Sequence, residues 1–364
     1  MTRPTPVRAQ RHRTSRRLLV CGMPEQRNCI YEFKELTMRA ALVTEFGPPS
    51  GLVIADVPDP VPGPGEVVIE VGAVSINFPD ILVVEGSYQN LPPRPFSPGK
   101  EAAGRVLAVG EGVARIAVGQ RVLTLVEYGG YAEQLVVSEE LVVELPDSMS
   151  YEEAAALGLV ASTAHLGLFR RGQVQPGETV LVTGAGGGVG SAGVQLAKAK
   201  GARVIALAHD EVKGELARRQ GADLVLTSTP ETLRDDLLAA TDGAGVNVVL
   251  ETLGGEILTQ IIRATAWEGR IVIVGFASGS QNSIKPGHIL VKNISLIGLQ
   301  SSDYHDREPT MMRSTLAEIF ELFDQGHINA AIDTTFPLDN VADALQYLKD
   351  GKAKGKVVVS TGLA

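Results

Sequence analysis

"VLVTGAGGGVGSAGVQLAKAKGARVIALA", residues 180–208, decides the fold. An apolar run rich in β-branched residues leads into a stretch where five of the seven residues 184–190 are glycine; an Ala/Leu-rich helical segment and a second apolar run follow. Glycine inside a strand or helix costs about 0.5 to 1 kcal/mol relative to alanine, so such a cluster marks backbone that turns sharply or approaches something closely. Here the turn opens a helix, where free N–H groups and the helix dipole make a site for a pyrophosphate. The spacing G-x-G-x-x-G fails from Gly184, because Val189 stands in the last place. From Ala185 it reads A-x-G-x-x-G, with Gly187 and Gly190 in the second and third places. Gly184, Gly187, Gly188, Val189 and Gly190 are the expected cradle. The motif alone is weak, since a flexible loop between a strand and a helix would look the same.

The flanking texture strengthens it. Strand-like runs "DLVLTS", "VNVVLETLG", "GRIVIVGF" and "ISLIGL" alternate with helical stretches such as "EVKGELARRQG" and "ETLRDDLLAA". That alternation predicts an α/β region with a parallel sheet and helices on both faces. The residue about 20 positions beyond the glycines, where an acid would bind the ribose of NAD, is Ala208. His209 and Lys213 follow and offer donors to a 2′-phosphate, which favours NADPH. Asp210 is a competing signal, as a ribose acid displaced by two residues, and Lys213 has an alternative reading as a solvated lysine at a helix start.

Upstream, short β-branched runs broken by Gly and Pro fill residues 38–145 and predict a β-rich, barrel-like domain. "SYEEAAALGLVASTAHLGLF" then carries a Ser150 cap ahead of an Ala/Leu-rich helix. The last strand-like segment, "GKVVVS", has no partner in the α/β region and is expected to return to the first domain.

With 364 residues, two domains are the default. Hydrophobic residues make up 44% and charged residues 21%, as in a soluble globular chain. No apolar run approaches the roughly 18 residues of a membrane span. The net charge of −9 argues against a nucleic-acid partner. Eight of the 33 basic residues but only three of the 42 acids lie in residues 1–37, which leaves −14 on the rest. Cys21 and Cys29, the two cysteines, lie there too, so a thiolate zinc site is excluded from the body. "TSRRLLVCGMP" has the twin arginine of an export signal but reaches Pro24 too soon, and the Arg-rich start also fits a transit peptide. The preferred reading is a disordered or mis-started extension over 1–37, with a cytoplasmic protein beginning at Met38.

The order of these pieces, with "INFPDILVVEGSY", "PFSPGKEAAGRV", the "AGGGVG" turn and "GRIVIVGFASG", resembles the zinc-free, zeta-crystallin-like quinone oxidoreductase branch of the medium-chain dehydrogenase/reductase superfamily over Met38 to Ser360. The resemblance implies a GroES-like catalytic domain over 38–160, completed by 300–364, around a Rossmann domain over 161–299, with NADPH between them. It implies that Asn77 and Thr163 approach the nicotinamide, that Lys213 meets the 2′-phosphate, and that Gly254, Gly275, Phe276 and Lys356 belong to the cofactor site. Zinc-dependent relatives carry a His-Glu pair where this chain reads Lys100-Glu101, so no metal is expected. The tyrosine that flanks the adenosine in bacterial relatives falls at Ser228. Gln300, Ser301, Ser302 and Asp303 replace an aromatic stretch and make that wall more polar.

The resulting expectation is hydride transfer from NADPH to a quinone or similar conjugated acceptor, with Asn77 and Thr163 orienting the nicotinamide and Tyr88 at the mouth. Water or Tyr88 would deliver the proton. Tyr88 has an alternative reading as a loop aromatic on its own prolines, and His165 reads as a core histidine. The alternative functions are reduction of the C=C bond of an enone, enal or enoyl thioester, and an NADPH-binding protein with little turnover. A small-molecule partner is expected and no membrane, and the resemblance implies a second copy paired through the edge strand "NISLIGL".

Overall fold

The computed structural model describes residues 18–19, 33–34, 36–281 and 283–363. Apart from a two-residue antiparallel pairing of Leu18–Leu19 with Phe33–Lys34, the expectation for the 1–37 extension lies almost wholly outside the described residues.

The first half builds β1 (Thr37–Leu42), β2 (Val53–Pro58), β3 (Glu66–Ile76), α1 (Phe78–Val84), β4 (Glu101–Val109), β5 (Arg121–Leu125), β6 (Gln134–Ser138) and β7 (Val142–Glu144). α2 (Tyr151–His165) follows and runs on into a wider π-helical stretch, Leu166–Arg171. The second half alternates strictly: β8 (Thr179–Thr183), α3 (Gly188–Ala199), β9 (Arg203–Leu207), α4 (Glu211–Arg219), β10 (Leu224–Leu226), α5 (Leu233–Ala240), β11 (Val246–Glu251), α6 (Gly255–Ala264), β12 (Thr265–Ile273), α7 (Pro286–Leu290) and β13 (Ser295–Gly298). The chain ends in α8 (Asp303–Arg307), α9 (Pro309–Asp324), β14 (Ile332–Pro337), α10 (Val341–Lys349) and β15 (Lys356–Ser360).

Strands β8 to β13 form one parallel sheet in the order β10-β9-β8-β11-β12-β13. This is the doubly wound order, in which the chain reverses direction beside β8 and opens a crevice at the carboxyl ends of the strands. Val180, Leu181 and Val182 are fully buried because helices cover both faces. A Cβ on Gly193 would stand 2.6 Å from Leu250 Cδ2, so this glycine lets α3 lie close on the sheet.

The other sheet runs β14-β15-β3-β4-β5-β7, with β6 also on β3. The closing strand β15 pairs antiparallel with β3, Val357 opposite Ile76. This carries Lys356 from the far end of the sequence to the end of β3, just before Asn77.

α2 joins the two sheets. Ser150 and Glu153 cap it reciprocally: Glu153 N donates to Ser150 Oγ at 3.1 Å and Ser150 N to Glu153 Oε2 at 2.9 Å. Beyond the cap the helix is apolar on nearly every side, which suits an element packed against β3, β4 and β15 on one hand and α3 and α9 on the other. The division drawn from the sequence at residue 160 therefore falls inside a helix that both halves share.

Candidate functional site

The glycine turn lies at the carboxyl end of β8. Gly184 takes φ +60, a left-handed backbone that glycine adopts without penalty, and Gly187 is the N-cap of α3. A Cβ on Gly190 would lie 2.2 Å from Gly184 O, so the first turn of α3 packs on the turn only because position 190 has no side chain. The N–H groups of a helix's first turn have no partner inside the helix, and Ser191 Oγ beside them is buried without a hydrogen-bond partner. A bare, donor-rich turn with an orphaned hydroxyl fits a pyrophosphate.

Neighbouring strand ends complete this rim. Thr252 Oγ1 donates to Thr183 O at 3.0 Å, and Thr252 O accepts from Ala277 N at 2.9 Å, which ties the ends of β8, β11 and β12 together. Gly254 has φ +71, and a Cβ there would meet Phe276 Cδ1 at 2.7 Å; Gly275 precedes this half-exposed ring. Glu251 is fully buried and accepts from the N–H groups of Leu253 and Gly254. Burial pushes its carboxyl up, and those backbone donors together with Thr183 hold it down.

On the other side of the turn, Asp210 Oδ1 accepts from Lys213 N at 2.9 Å and so caps α4. Lys213 lies against the turn, since a Cβ on Gly186 would be 2.4 Å from Lys213 Cβ. His209 is exposed at the same edge. Ser228 follows β10, but its hydroxyl donates to Asp236 Oδ2 at 2.7 Å and is already committed.

The barrel side contributes a buried polar cluster. Asn77, at the N-cap of α1, donates through Nδ2 to Glu101 Oε1 at 2.9 Å and accepts through Oδ1 from Lys356 Nζ at 2.7 Å. Glu101 also accepts from Ser75 Oγ and, through Oε2, from Leu159 N at 2.8 Å. Leu159 lies one helical turn before Thr163, so Glu101 sets Asn77 relative to Thr163. Thr163 Oγ1 in turn donates to Ser301 Oγ at 3.1 Å, in the polar segment expected to line the acceptor. Lys356 is linked to the turn as well: a Cβ on Gly188 would stand 3.1 Å from Lys356 Cδ. Its stem touches the cradle while its ammonium turns into the barrel, towards Ile76 O and Asn77 Oδ1. Burial lowers the Lys356 ammonium and raises the Glu101 carboxyl, and each opposes the shift of the other.

A second branch runs behind Asn77. Asp80 Oδ2 accepts from Asn77 N and from Tyr131 Oη, both at 2.8 Å. Burial raises Asp80 to about 6 despite those two bonds. Tyr88, half-buried in the loop after α1, carries Lys100 Nζ 4.4 Å from its ring centroid. His165 packs edge-on against Phe169 and lies 3.1 Å from Glu318, a core position.

The zinc-dependent pattern does not fit these residues. Lys100 offers an ammonium where a metal needs a lone pair, and Glu101 is fully engaged by Ser75, Asn77 and Leu159. Among the described residues no group of three or more His, Cys, Asp or Glu stands ready for a metal. Ser75 and the Asp80–Tyr131 pair were not singled out from the sequence, and Glu101 was named there only beside Lys100 in the altered metal motif; a carboxylate at the head of the apolar run "EAAGRV" was the available signal.

Two family models match, described as "Alcohol dehydrogenase GroES-like domain" over residues 63–147 and "Zinc-binding dehydrogenase" over residues 188–317. The chain is 38% identical over 327 residues to a quinone oxidoreductase-like protein 2 homolog of Nematostella vectensis, covering 89% of each. It superposes with TM-score 0.83 on the native structure of a mycobacterial protein complexed with NADPH, at 32% identity, covering 89% of this chain and 100% of that one. The CurK enoyl reductase gives TM-score 0.80 at 31% identity, covering 89% and 99%. A glycine turn on a doubly wound sheet, facing a GroES-like barrel and matched over nearly its whole length by such relatives, places the chain in the quinone oxidoreductase-like branch of the medium-chain dehydrogenase/reductase superfamily, as an oxidoreductase.

Proposed function

We propose that this oxidoreductase uses NADPH to reduce a quinone or similar conjugated acceptor without a metal ion. The observation that carries the reading is the position of Lys356, whose stem crosses the glycine turn and whose ammonium holds Asn77, so that the cradle and the barrel's polar cluster form one site. When bound, the dinucleotide supplies a hydride from its nicotinamide. The chain's own work is to bind, orient and exclude water. Gly184, Gly187, Gly188, Val189 and Gly190 hold the pyrophosphate. His209 and Lys213 meet the 2′-phosphate, and Asp210 caps the helix that carries Lys213. Gly254, Gly275 and Phe276 line the nicotinamide end, Asn77 and Thr163 orient it, and Ser228 borders the adenosine.

Gln300 to Asp303 and the likeness to an enoyl reductase support a second reading, reduction of an activated C=C bond. Steady-state rates with 1,4-benzoquinone and 9,10-phenanthrenequinone against 1-octen-3-one and an enoyl-CoA separate the two. Turnover of the quinones alone supports the first, and turnover of the enone or thioester alone replaces it with the second.

The reading includes a cytoplasmic homodimer. No helix among the described residues is long and apolar enough to cross a membrane. Trp267, Leu290 and Val291 are exposed, and the bond from Glu268 N to Lys292 O brings their two backbone segments together just before the edge strand β13. A single monomeric mass by light scattering at micromolar concentration would remove the dimer from this account.

A further inference from the structure

Lys100 is a buried charge that the scheme above leaves unused. Its side chain is 4% exposed and its Nζ lies 2.8 Å from Glu127 Oε2. An ammonium has three donors. One goes to that carboxylate, a second reaches Glu127 O at 3.4 Å, and the Tyr88 ring covers the nitrogen at 4.4 Å. A π face is a weaker partner than an oxygen, so one donor is available to an oxygen that displaces the ring.

Position gives this donor a meaning. Tyr88 comes from the loop after α1, and His305 from α8, which begins at Asp303 in the polar segment 300–303. His305 is buried, its Nε2 has no hydrogen-bond partner, and Lys100 and Glu127 are among the charges that act on it. Lys100 thus lies under Tyr88, at the proposed mouth of the acceptor space, one residue before the Glu101 that holds Asn77.

We propose that Lys100 is a catalytic residue whose ammonium donates a hydrogen bond to the acceptor's oxygen and stabilises the negative charge that oxygen gains during reduction. The proposal rests on the NADPH oxidoreductase reading and adds to it the group that replaces a Lewis acid. In balance, a hydride brings two electrons and one hydrogen to the acceptor, and the nicotinamide leaves oxidised. The acceptor's π bond breaks, its electron pair moves onto oxygen, and the oxyanion then takes one proton from water. Lys100 is unchanged at the end. Recognition follows: acceptors with an oxygen conjugated to the reducible bond are favoured over those without one.

The test reads a bound oxyanion directly. With protein saturated by NADP+, 4-nitrophenol is titrated by its visible absorption in wild type, Lys100→Met and Lys100→Arg, beside steady-state quinone kinetics and NADPH binding by fluorescence. The expected result is that bound nitrophenol ionises about one pH unit lower in wild type than in Lys100→Met, and that Lys100→Arg keeps most of this shift. kcat/KM for the quinone falls about 100-fold in Lys100→Met, with the NADPH Kd unchanged. Equal ionisation and equal kcat/KM in wild type and Lys100→Met overturn the proposal and leave the oxidoreductase reading standing. A Lys100-dependent nitrophenol shift in a protein that reduces no acceptor overturns that reading and keeps Lys100 as an oxyanion site. If Lys100→Met does not fold, Glu127→Gln carries the test: loss of the competing carboxylate deepens the shift, and an unchanged titration overturns the proposal.

Discussion

Lys356 Nζ and Asn77 Oδ1 are 2.7 Å apart, joining residues 279 positions apart in sequence. The bond fixes the amide of Asn77: with Oδ1 taken by the lysine, Nδ2 turns to Glu101 at 2.9 Å. Both charged partners are buried, so each depends on the other. Lys356→Met leaves Glu101 without a counter-charge and is expected to lower stability by about 3 kcal/mol. Adding Glu101→Gln should restore much of it, since the uncompensated charge is then gone. Urea unfolding of the two single variants and the double variant measures the coupling, and additive losses would contradict it.

Asp80 makes stability depend on pH with a definite sign. Its folded carboxyl sits at about 6, above the ordinary value near 3.8. The group therefore contributes stability that is fully present below the unfolded value and is lost as pH rises through about 6. A shift of this size corresponds to roughly 3 kcal/mol. Asp80→Asn keeps an oxygen for Asn77 N and Tyr131 Oη and should flatten the difference in unfolding free energy between pH 4 and pH 8 by up to about that amount. Parallel pH profiles for variant and wild type would count against the assignment.

Gly190→Ala tests the turn. The added methyl must lie 2.2 Å from Gly184 O unless backbone moves. Strain of about 1 to 3 kcal/mol is expected, with loss of NADPH binding in a fluorescence titration. Retained affinity would show that α3 can shift without harm.

Lys213→Ala tests the choice of dinucleotide. Removing a charged hydrogen bond to the 2′-phosphate should raise the NADPH Kd about tenfold to a hundredfold and leave the NADH Kd nearly the same. Equal weakening of both would assign Lys213 a purely structural part beside Gly186.

Local physics explains how far the sequence could be read. The parallel sheet and its turn were legible because each strand is a contiguous apolar run and the glycines punctuate it. The Ser150 cap was legible for the same reason, being written in four adjacent residues. The partners of Asn77 were not. Lys356 reaches it through the pairing of β15 with β3, and Glu101 through packing of α2 on the barrel, contacts that no local pattern encodes. Ser228 illustrates the reverse limit: its place beside β10 was readable, while its bond to Asp236 depends on how α5 returns.

The most direct test of the central claim is single-turnover oxidation of NADPH by 9,10-phenanthrenequinone, with protiated and C4-deuterated dinucleotide compared on the wild-type chain. Oxidation is expected to depend on the quinone, to be faster with NADPH than with NADH, and to slow with deuterium at the transferred position. Tight NADPH binding with no oxidation by any conjugated acceptor would contradict it.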